Sequence, residues 1–294
     1  MAFQLHLASG FSKLFHWEEC GVEEKTRSGR SLATRALALV VWAAGLVVVL
    51  YGARRWMPDL ASDHGAGIDT MLTYTLYCAG GLLLIGHGLL GWFLWTAGSR
   101  KTVTFRLASP RVERNWSLVP MIIMAVVAEG GILVLGLPVW GKIYGPPPED
   151  ALIIEVTSEQ FAWNIRYPGP DGAFGRLDPK LISLDNPIGV DFNDPASKDD
   201  IIGLNSIHVP VNKAVKIRLR SKDVLHSFYL PHLRVKQDAV PGLSVEFWFV
   251  PTKAGNFELA CAELCGFGHY EMGGMLIVES QEKFEQWLKE NGNG

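Results

Sequence analysis

Cys261-Ala-Glu-Leu-Cys265-Gly-Phe-Gly-His269-Tyr-Glu-Met272 gathers two thiols, an imidazole and a thioether within twelve residues. Soft sulfur donors combined with imidazole select copper or zinc over hard cations, and a thioether favours copper. A structural zinc site normally brings a second ligand pair from elsewhere; here a methionine stands where that pair is expected. A mononuclear blue-copper site needs one cysteine, a nearby histidine, a methionine after it and a histidine upstream. This loop offers all of these and one cysteine too many. Two cysteines four residues apart can instead set both sulfurs between two metal ions. The upstream imidazole is available at His226, in Asp-Val-Leu-His226-Ser-Phe, just after the β-type run VKIRLRS. It can therefore share one end of a β domain with the cysteine loop. The competing reading of Cys-x-x-x-Cys is a disulfide in an exported domain, which leaves His226, His269 and Met272 without a purpose.

The elements that must carry these residues are short strands. LIIEVTSEQFAWNIRY, KAVKIRLRS, SVEFWFV, NFELAC and GMLIVES are alternating or β-branched runs separated by turn signals. They predict an all-β Greek-key sandwich or barrel, closed by a final helix at EKFEQWLKEN. The Gly-, Pro-, Asp- and Asn-rich stretch 168–203 is expected to be a surface excursion between strands. Gly145-Pro146-Pro147-Pro148 breaks the preceding helix and forms a stiff linker.

Ahead of that linker lie three apolar stretches, at about 36–53, 71–98 and 118–140. Each approaches the roughly 20 residues needed to cross about 30 Å of hydrocarbon. Tyr51, Trp56, Trp140 and Tyr144 fall where interfacial aromatic belts are expected. The first stretch follows a polar leader and lacks a small-x-small cleavage pattern, so it reads as a retained span rather than a signal peptide. Lys13, Lys25, Arg27, Arg30 and Arg35 precede it, and Arg100, Lys101, Arg106, Arg111 and Arg114 follow the second span. Only Arg54 and Arg55 lie between spans one and two. The positive-inside rule places both rich flanks in the cytoplasm. The expected organisation is a cytoplasmic leader (1–35), a three-helix domain (36–142) in the lipid bilayer of a bacterial inner membrane, and an extracytoplasmic domain (143–294). Residues 149–294 carry 21 acids against 14 bases, and residues 1–148 carry 9 against 13. The acidic outer part suits a basic docking partner and equally serves solubility; nucleic acid is not an expected partner. Cys20 and Cys78 are isolated, and the absence of Cys-x-x-Cys-His excludes an attached c-type haem.

Inside the third span, Glu129 is a carboxylate near mid-membrane, which is costly and a functional candidate by default. Gly130 and Gly131 beside it allow another helix to come close. A proton relay, or a protonated acid hydrogen-bonded to a neighbouring subunit, both fit. His87 in span two reads as a packing or hydrogen-bonded residue.

Over about 70–290 the chain resembles cytochrome c oxidase subunit II. The likeness is carried by the Cys261 to Met272 loop, by KDVLHSFYLPHLRVKQDAVPG at 222–242, and by Glu113-x-x-Trp116 with Pro120 opening the last span. It implies a cupredoxin-like domain in which Cys261 and Cys265 bridge a dinuclear copper centre. His226 and Met272 would complete one copper, His269 and the main-chain carbonyl of Glu263 the other. The Glu263 side chain would help bind magnesium at the contact with haem–copper subunit I, a hard oxygen ligand for a hard cation. By the same resemblance, a c-type cytochrome or other small donor supplies electrons, and haems in subunit I reduce O2 to water. Further membrane subunits complete the assembly, and this chain is not catalytic alone. Glu113 resembles the carboxylate at the mouth of a proton channel, although a helix-start acid needs no such role. Where the family has a tryptophan that receives the electron, this chain has Phe161, with Trp163 kept two residues on; both also suit a β core. Span one has no counterpart in the two-span family pattern. Competing expectations are the same subunit in a copper-containing nitric oxide reductase, and a membrane-anchored copper carrier or assembly protein holding one exchangeable copper. Quinol oxidase relatives generally lack the copper ligands, and nitrous oxide reductase needs a further large domain.

Overall fold

Glycine and proline divide the chain, with helices before Gly145-Pro146-Pro147-Pro148 and mainly strands after it. The computed structural model describes residues 29–52, 57–98 and 110–292. Cys20, Trp56 and the basic residues Lys13, Lys25, Arg27, Arg54, Arg55, Arg100, Lys101 and Arg106 lie outside them.

Among the described residues, three helices are long and apolar enough to cross a membrane: Leu32–Gly52, Gly65–Ala97 and Pro110–Ile143. Each begins before the apolar stretch read from hydropathy, because backbone hydrogen bonding extends through polar residues at the helix start that a hydropathy count ignores. The third is not uniform. Met124–Glu129 is a π-helical segment between the α-helical Pro110–Ile123 and Gly130–Ile143.

Two compact units can be separated. In one, the first helix packs on the second along small residues. Trp42 seats over Gly91, where a Cβ would come within 2.1 Å of its indole, and His87 seats over Gly45 in the same way. Trp42 Nε1 donates to the Gly88 carbonyl at 3.2 Å, and Trp42 stacks on Trp95 with centroids 6.0 Å apart. His87 Nδ1 bonds the Leu83 carbonyl one turn back at 2.9 Å, in keeping with the packing role read from sequence. Small residues that let helices approach closely are the usual membrane solution.

The other unit joins residues 57–79 to residues 115–292. Tyr74 packs over Gly131, where a Cβ would lie 2.0 Å from its hydroxyl oxygen, and that hydroxyl donates to the Val127 carbonyl inside the π segment. The close approach foreseen at the Gly130-Gly131 pair thus occurs at Gly131. In the same unit, ten strands among the described residues form two five-stranded sheets. One has the order β3 (Ile201–Leu204), β2 (Ala162–Tyr167), β1 (Leu152–Glu159), β5 (Val215–Ser221), β8 (Val245–Phe249). The other runs β4 (Ser206–Pro210), β10 (Gly273–Glu279), β9 (Gly255–Cys261), β6 (His226–Leu230), β7 (Val235–Ala239). Pairing is antiparallel except for β1 with β5 and β4 with β10. This is a cupredoxin-like sandwich. Ile154, Val156, Ile165, Leu219, Phe228, Phe249 and Leu276 fill its core with no exposed surface.

LIIEVTSEQFAWNIRY, read as one run, is a hairpin in which Gln160 and Phe161 turn the chain and Glu159 pairs with Ala162. The apolar alternation continues across a turn that lacks Gly or Asn, so the pattern looks unbroken. The excursion after β2 is pinned by one side chain. Arg166, 1% exposed, bonds Glu155 Oε2 at 3.3 Å, Asp200 Oδ2 at 2.5 Å and the Gly175 carbonyl at 2.5 Å. Phe174 in the excursion lies under the Arg166 and Arg218 guanidinium groups at 5.2 and 5.8 Å. Glu155 keeps Arg218 at 2.9 Å, but removing the Arg166 guanidinium leaves the buried Asp200 carboxylate without its cation, which costs about 3–5 kcal/mol. Arg166→Met is expected to lower the thermal midpoint of the purified chain by roughly 10 °C. Near-UV circular dichroism through the melt checks this, and a shift under about 2 °C would show that Asp200 does not need its cation.

Candidate metal centre

His226 opens β6 and Cys261 closes β9, and these strands are neighbours, with Phe228 opposite Cys261. The chain then loops out and returns as β10. Cys261 N–H donates to the Met272 carbonyl at 3.1 Å and Ala262 N–H to the Ser227 carbonyl at 2.9 Å, so both ends of the loop are tied to the sheet. Inside the loop the two sulfurs face each other at 3.9 Å. That is nearly twice a disulfide bond length of about 2.05 Å, and both cysteines are free thiols. The disulfide reading is therefore not realised.

The remaining donors converge on the same spot. His226 Nδ1 lies 3.1 Å from Met272 Sδ and 4.0 Å from Cys261 Sγ. Cys265 Sγ lies 3.6 Å from His269 Nδ1 and 3.7 Å from Met272 Sδ. The Cys261 thiol donates to the Glu263 carbonyl at 3.2 Å. His226, Cys261 and Cys265 are buried, with donor atoms all within 4.8 Å of one another, and among the described residues they form the one His/Cys/Asp/Glu group of three or more able to hold a metal ion. Burial, with the neighbouring Cys261 sulfur second, pushes the Cys265 thiol up to about 11. The Cys265 thiol therefore resists ionisation until a cation shares the pocket.

Two contacts escape a reading of the loop alone. His226 Nε2 bonds Asp223 Oδ1 at 2.8 Å, and Asp223 also accepts the Gln160 N–H at 2.7 Å and the Val224 N–H at 2.6 Å. Burial opposes ionisation of Asp223, but the bonds from His226, Gln160 and Val224 prevail and hold the carboxyl below its usual range. With its proton on Nε2, His226 turns the Nδ1 lone pair toward the sulfurs, the orientation a metal ligand needs. Gln160 Nε2 donates to the Cys265 carbonyl at 2.5 Å and so ties the β1–β2 turn to the loop. The sequence signal for Asp223 is an acid three residues before a loop histidine.

Phe161, in that turn, is half-buried against the loop. A Cβ on Gly268 would meet its ring at 2.4 Å, and one on Gly266, whose φ is 140°, at 3.1 Å. Glycine is required at both positions for the contact to form. Trp163 is fully buried, edge-on to His226 at 6.3 Å and to Phe228 at 5.6 Å. Among the described residues its Nε1 has no hydrogen-bond partner. Both aromatics therefore pack against the ligand-bearing elements. Glu113 sits in the first turn of the third helix and Glu129 ends its π segment, so both belong to that helix rather than to the loop.

Fold and site together define a membrane-anchored, cupredoxin-like protein with a sulfur-rich metal pocket. Residues 153–280 match the family described as cytochrome C oxidase subunit II, periplasmic domain. The alternative cytochrome c oxidase subunit 2 of Bradyrhizobium diazoefficiens is 33% identical over 256 residues, covering 87% of this chain and 91% of that one. Cytochrome c oxidase subunit 2 of Thermostichus vulcanus is 32% identical over 157 residues, 53% of this chain and 38% of that one. Among solved structures, the periplasmic domain of subunit II of cytochrome oxidase (CoxB) of Bradyrhizobium japonicum is 33% identical, covering 49% of this chain and 95% of that one, with a TM-score of 0.37. The chain belongs to the cytochrome c oxidase subunit II family, whose members are parts of an oxidoreductase complex and whose soluble domain implies a copper centre.

The raised Cys265 thiol has a direct readout. In metal-free protein, alkylation of Cys265 at pH 8 is expected to run at least about tenfold slower than that of a free cysteine and to accelerate as pH rises toward 11. Mass spectrometry of the loop peptide after timed iodoacetamide exposure checks this; alkylation at the rate of a free thiol would refute the burial argument.

Proposed function

We propose that the chain is the copper-carrying, electron-accepting subunit of a respiratory cytochrome c oxidase, passing electrons from a small donor such as a c-type cytochrome to haem–copper subunit I, where O2 is reduced to water. The observation that carries this is the convergence of two free thiols, an imidazole and a thioether within a buried pocket of a subunit II-family domain.

The residues suit a dinuclear copper centre. Cys261 and Cys265 present facing sulfurs that can each serve two metals. His226 Nδ1 and Met272 Sδ lie 3.1 Å apart and would serve one metal, while His269 beside Cys265 and the Glu263 carbonyl beside Cys261 would serve the other. A copper pair held by these residues would supply a one-electron carrier. The protein's part is to hold the ligands still. Asp223 fixes the His226 ring, Gln160 fixes the Cys265 peptide, and the β6–β9 pairing fixes the strands from which His226 and Cys261 project. Phe161 and Trp163 lie against the ligand-bearing elements and serve electron arrival; the half-buried Phe161 is the nearer of the two to solvent. The Glu263 carboxylate offers a hard ligand to a magnesium ion at the subunit I contact. Glu113 and Glu129 serve proton uptake along the third helix, with further membrane subunits around it. The domain faces the periplasm of a bacterial inner membrane, with the N-terminus in the cytoplasm; the basic flanks support this orientation.

In the purified complex, two copper ions per chain and an electron-spin signal shared over both nuclei are expected. Cys261→Ser or Cys265→Ser should abolish the shared signal, and a variant that keeps it rules out the sulfur bridge. One exchangeable copper would point instead to a copper carrier, and NO uptake without O2 uptake would reassign the terminal reaction. Glu263→Gln is expected to retain full copper, because only its carbonyl faces the sulfurs, while lowering the content of a bound divalent ion. Loss of copper in that variant would show the ligand to be misassigned.

A further inference from the structure

The connection between the first and second helices is built into the β domain. Ala61, Ser62 and His64 are 0, 3 and 5% exposed. Ala61 N–H donates to the His232 carbonyl at 2.8 Å, and Ser62 Oγ donates to the Leu233 carbonyl at 2.6 Å. On its other side Asp63 N–H donates to the Val250 carbonyl at 3.1 Å, and Thr252 N–H donates to the Ala61 carbonyl at 2.8 Å. Pro58 to His64 is thus a strap wedged between the β6–β7 turn and the end of β8.

One residue closes the strap. Arg234 follows the β6–β7 turn with φ 57°, a left-handed conformation that is uncommon outside glycine. Its side chain, 4% exposed, spends every nitrogen on this junction. Nε and Nη2 reach Asp69 Oδ1 and Oδ2 at 2.8 and 3.0 Å, in the first turns of the second helix. Nη2 also reaches the Pro58 carbonyl at 2.8 Å, and Nη1 the Pro231 carbonyl at 2.7 Å. A two-pronged guanidinium–carboxylate bond fixes orientation as well as distance. Gly65 admits it, since a Cβ there would lie 3.0 Å from Arg234 Cγ.

The β6–β7 hairpin runs from this junction to the metal pocket. Arg234 sits at its turn end, and His226, paired with Ala239, opens it. The hairpin spans about 13 Å at roughly 3.3 Å per residue. We propose that Arg234 and Asp69 are positioning residues, a clamp that locks the ligand-bearing hairpin to the base of the second helix and so sets where the metal pocket stands relative to the next redox centre. This rests on the electron-transfer role proposed above.

The test uses the intact purified complex. Arg234→Gly suits the left-handed turn and removes the clamp without straining the hairpin, and Asp69→Asn removes the charge at constant size. Both variants are expected to keep the copper content and spectrum of the parent. The amides of Ala61 and Asp63 should exchange with deuterium at least about tenfold faster. Electron delivery to the next centre, followed by rapid mixing, should slow by about tenfold or more. The swapped pair Asp69→Arg with Arg234→Asp should recover part of both. Unchanged exchange in both single variants overturns the clamp. Faster exchange with undiminished delivery also overturns it, because the strap is then a stabilising contact alone. A parent complex without a copper spectrum sinks the metal assignment instead, and the exchange result still decides whether the clamp exists.

Discussion

Two thiols held 3.9 Å apart in a buried pocket are the constraint around which the soluble domain is organised. Burial and the facing Cys261 sulfur keep the Cys265 thiol from ionising readily, and a bare thiolate in a core is costly. A cation sharing the pocket would relieve this, and the nearby imidazoles and thioether are further donors that could reach it. Such a shell has value only if its members do not wander. The loop is therefore stitched to the sheet at both ends, the imidazole of His226 is held by a carboxylate, and the Cys265 peptide is held by Gln160 from another hairpin. Ligand rigidity here is the product of long-range contacts among β1, β2, β6 and β9.

The remainder of the domain keeps that frame stiff where its sequence looks loose. A polar excursion of some thirty residues (168–200) would be free to move, but buried Arg166 draws it onto the outer face of the first sheet through Asp200 and Gly175. Aspartate side chains cap its two short 3-10 turns at Pro179–Leu181 and Pro195–Ser197.

How much of this was legible depends on whether a feature is local. The Cys261 to Met272 loop could be read because its ligands are contiguous, and His226 because it follows a strand by a few residues. Asp223 and Gln160 could not, since their importance arises only when the β1–β2 turn lands on the loop. Five β runs suggested a sandwich, yet short strands such as β3 and β7 carry too little alternation to stand out, and the turn at Gln160-Phe161 hides inside an unbroken apolar pattern. The spans were visible as hydropathy. The strap at Pro58 to His64 was not, because Leu-Ala-Ser-Asp has no periodicity and its burial is a property of the surface it fills. The substitution of Phe161 for a tryptophan was legible only against a family pattern, and its packing on Gly266 and Gly268 only in three dimensions.

The π segment of the third helix carries a consequence for how the anchor assembles. A wider turn leaves backbone carbonyls imperfectly matched in hydrocarbon, where water is absent to satisfy them. The hydroxyl of Tyr74 supplies a donor to one of them, at Val127. Apolar packing between helices in lipid scarcely distinguishes one sliding register from the next, whereas a hydrogen bond to one carbonyl does. The second and third helices therefore mesh like a ratchet with a single tooth. Sliding either helix by a turn would forfeit that bond, so the pair carries its own register.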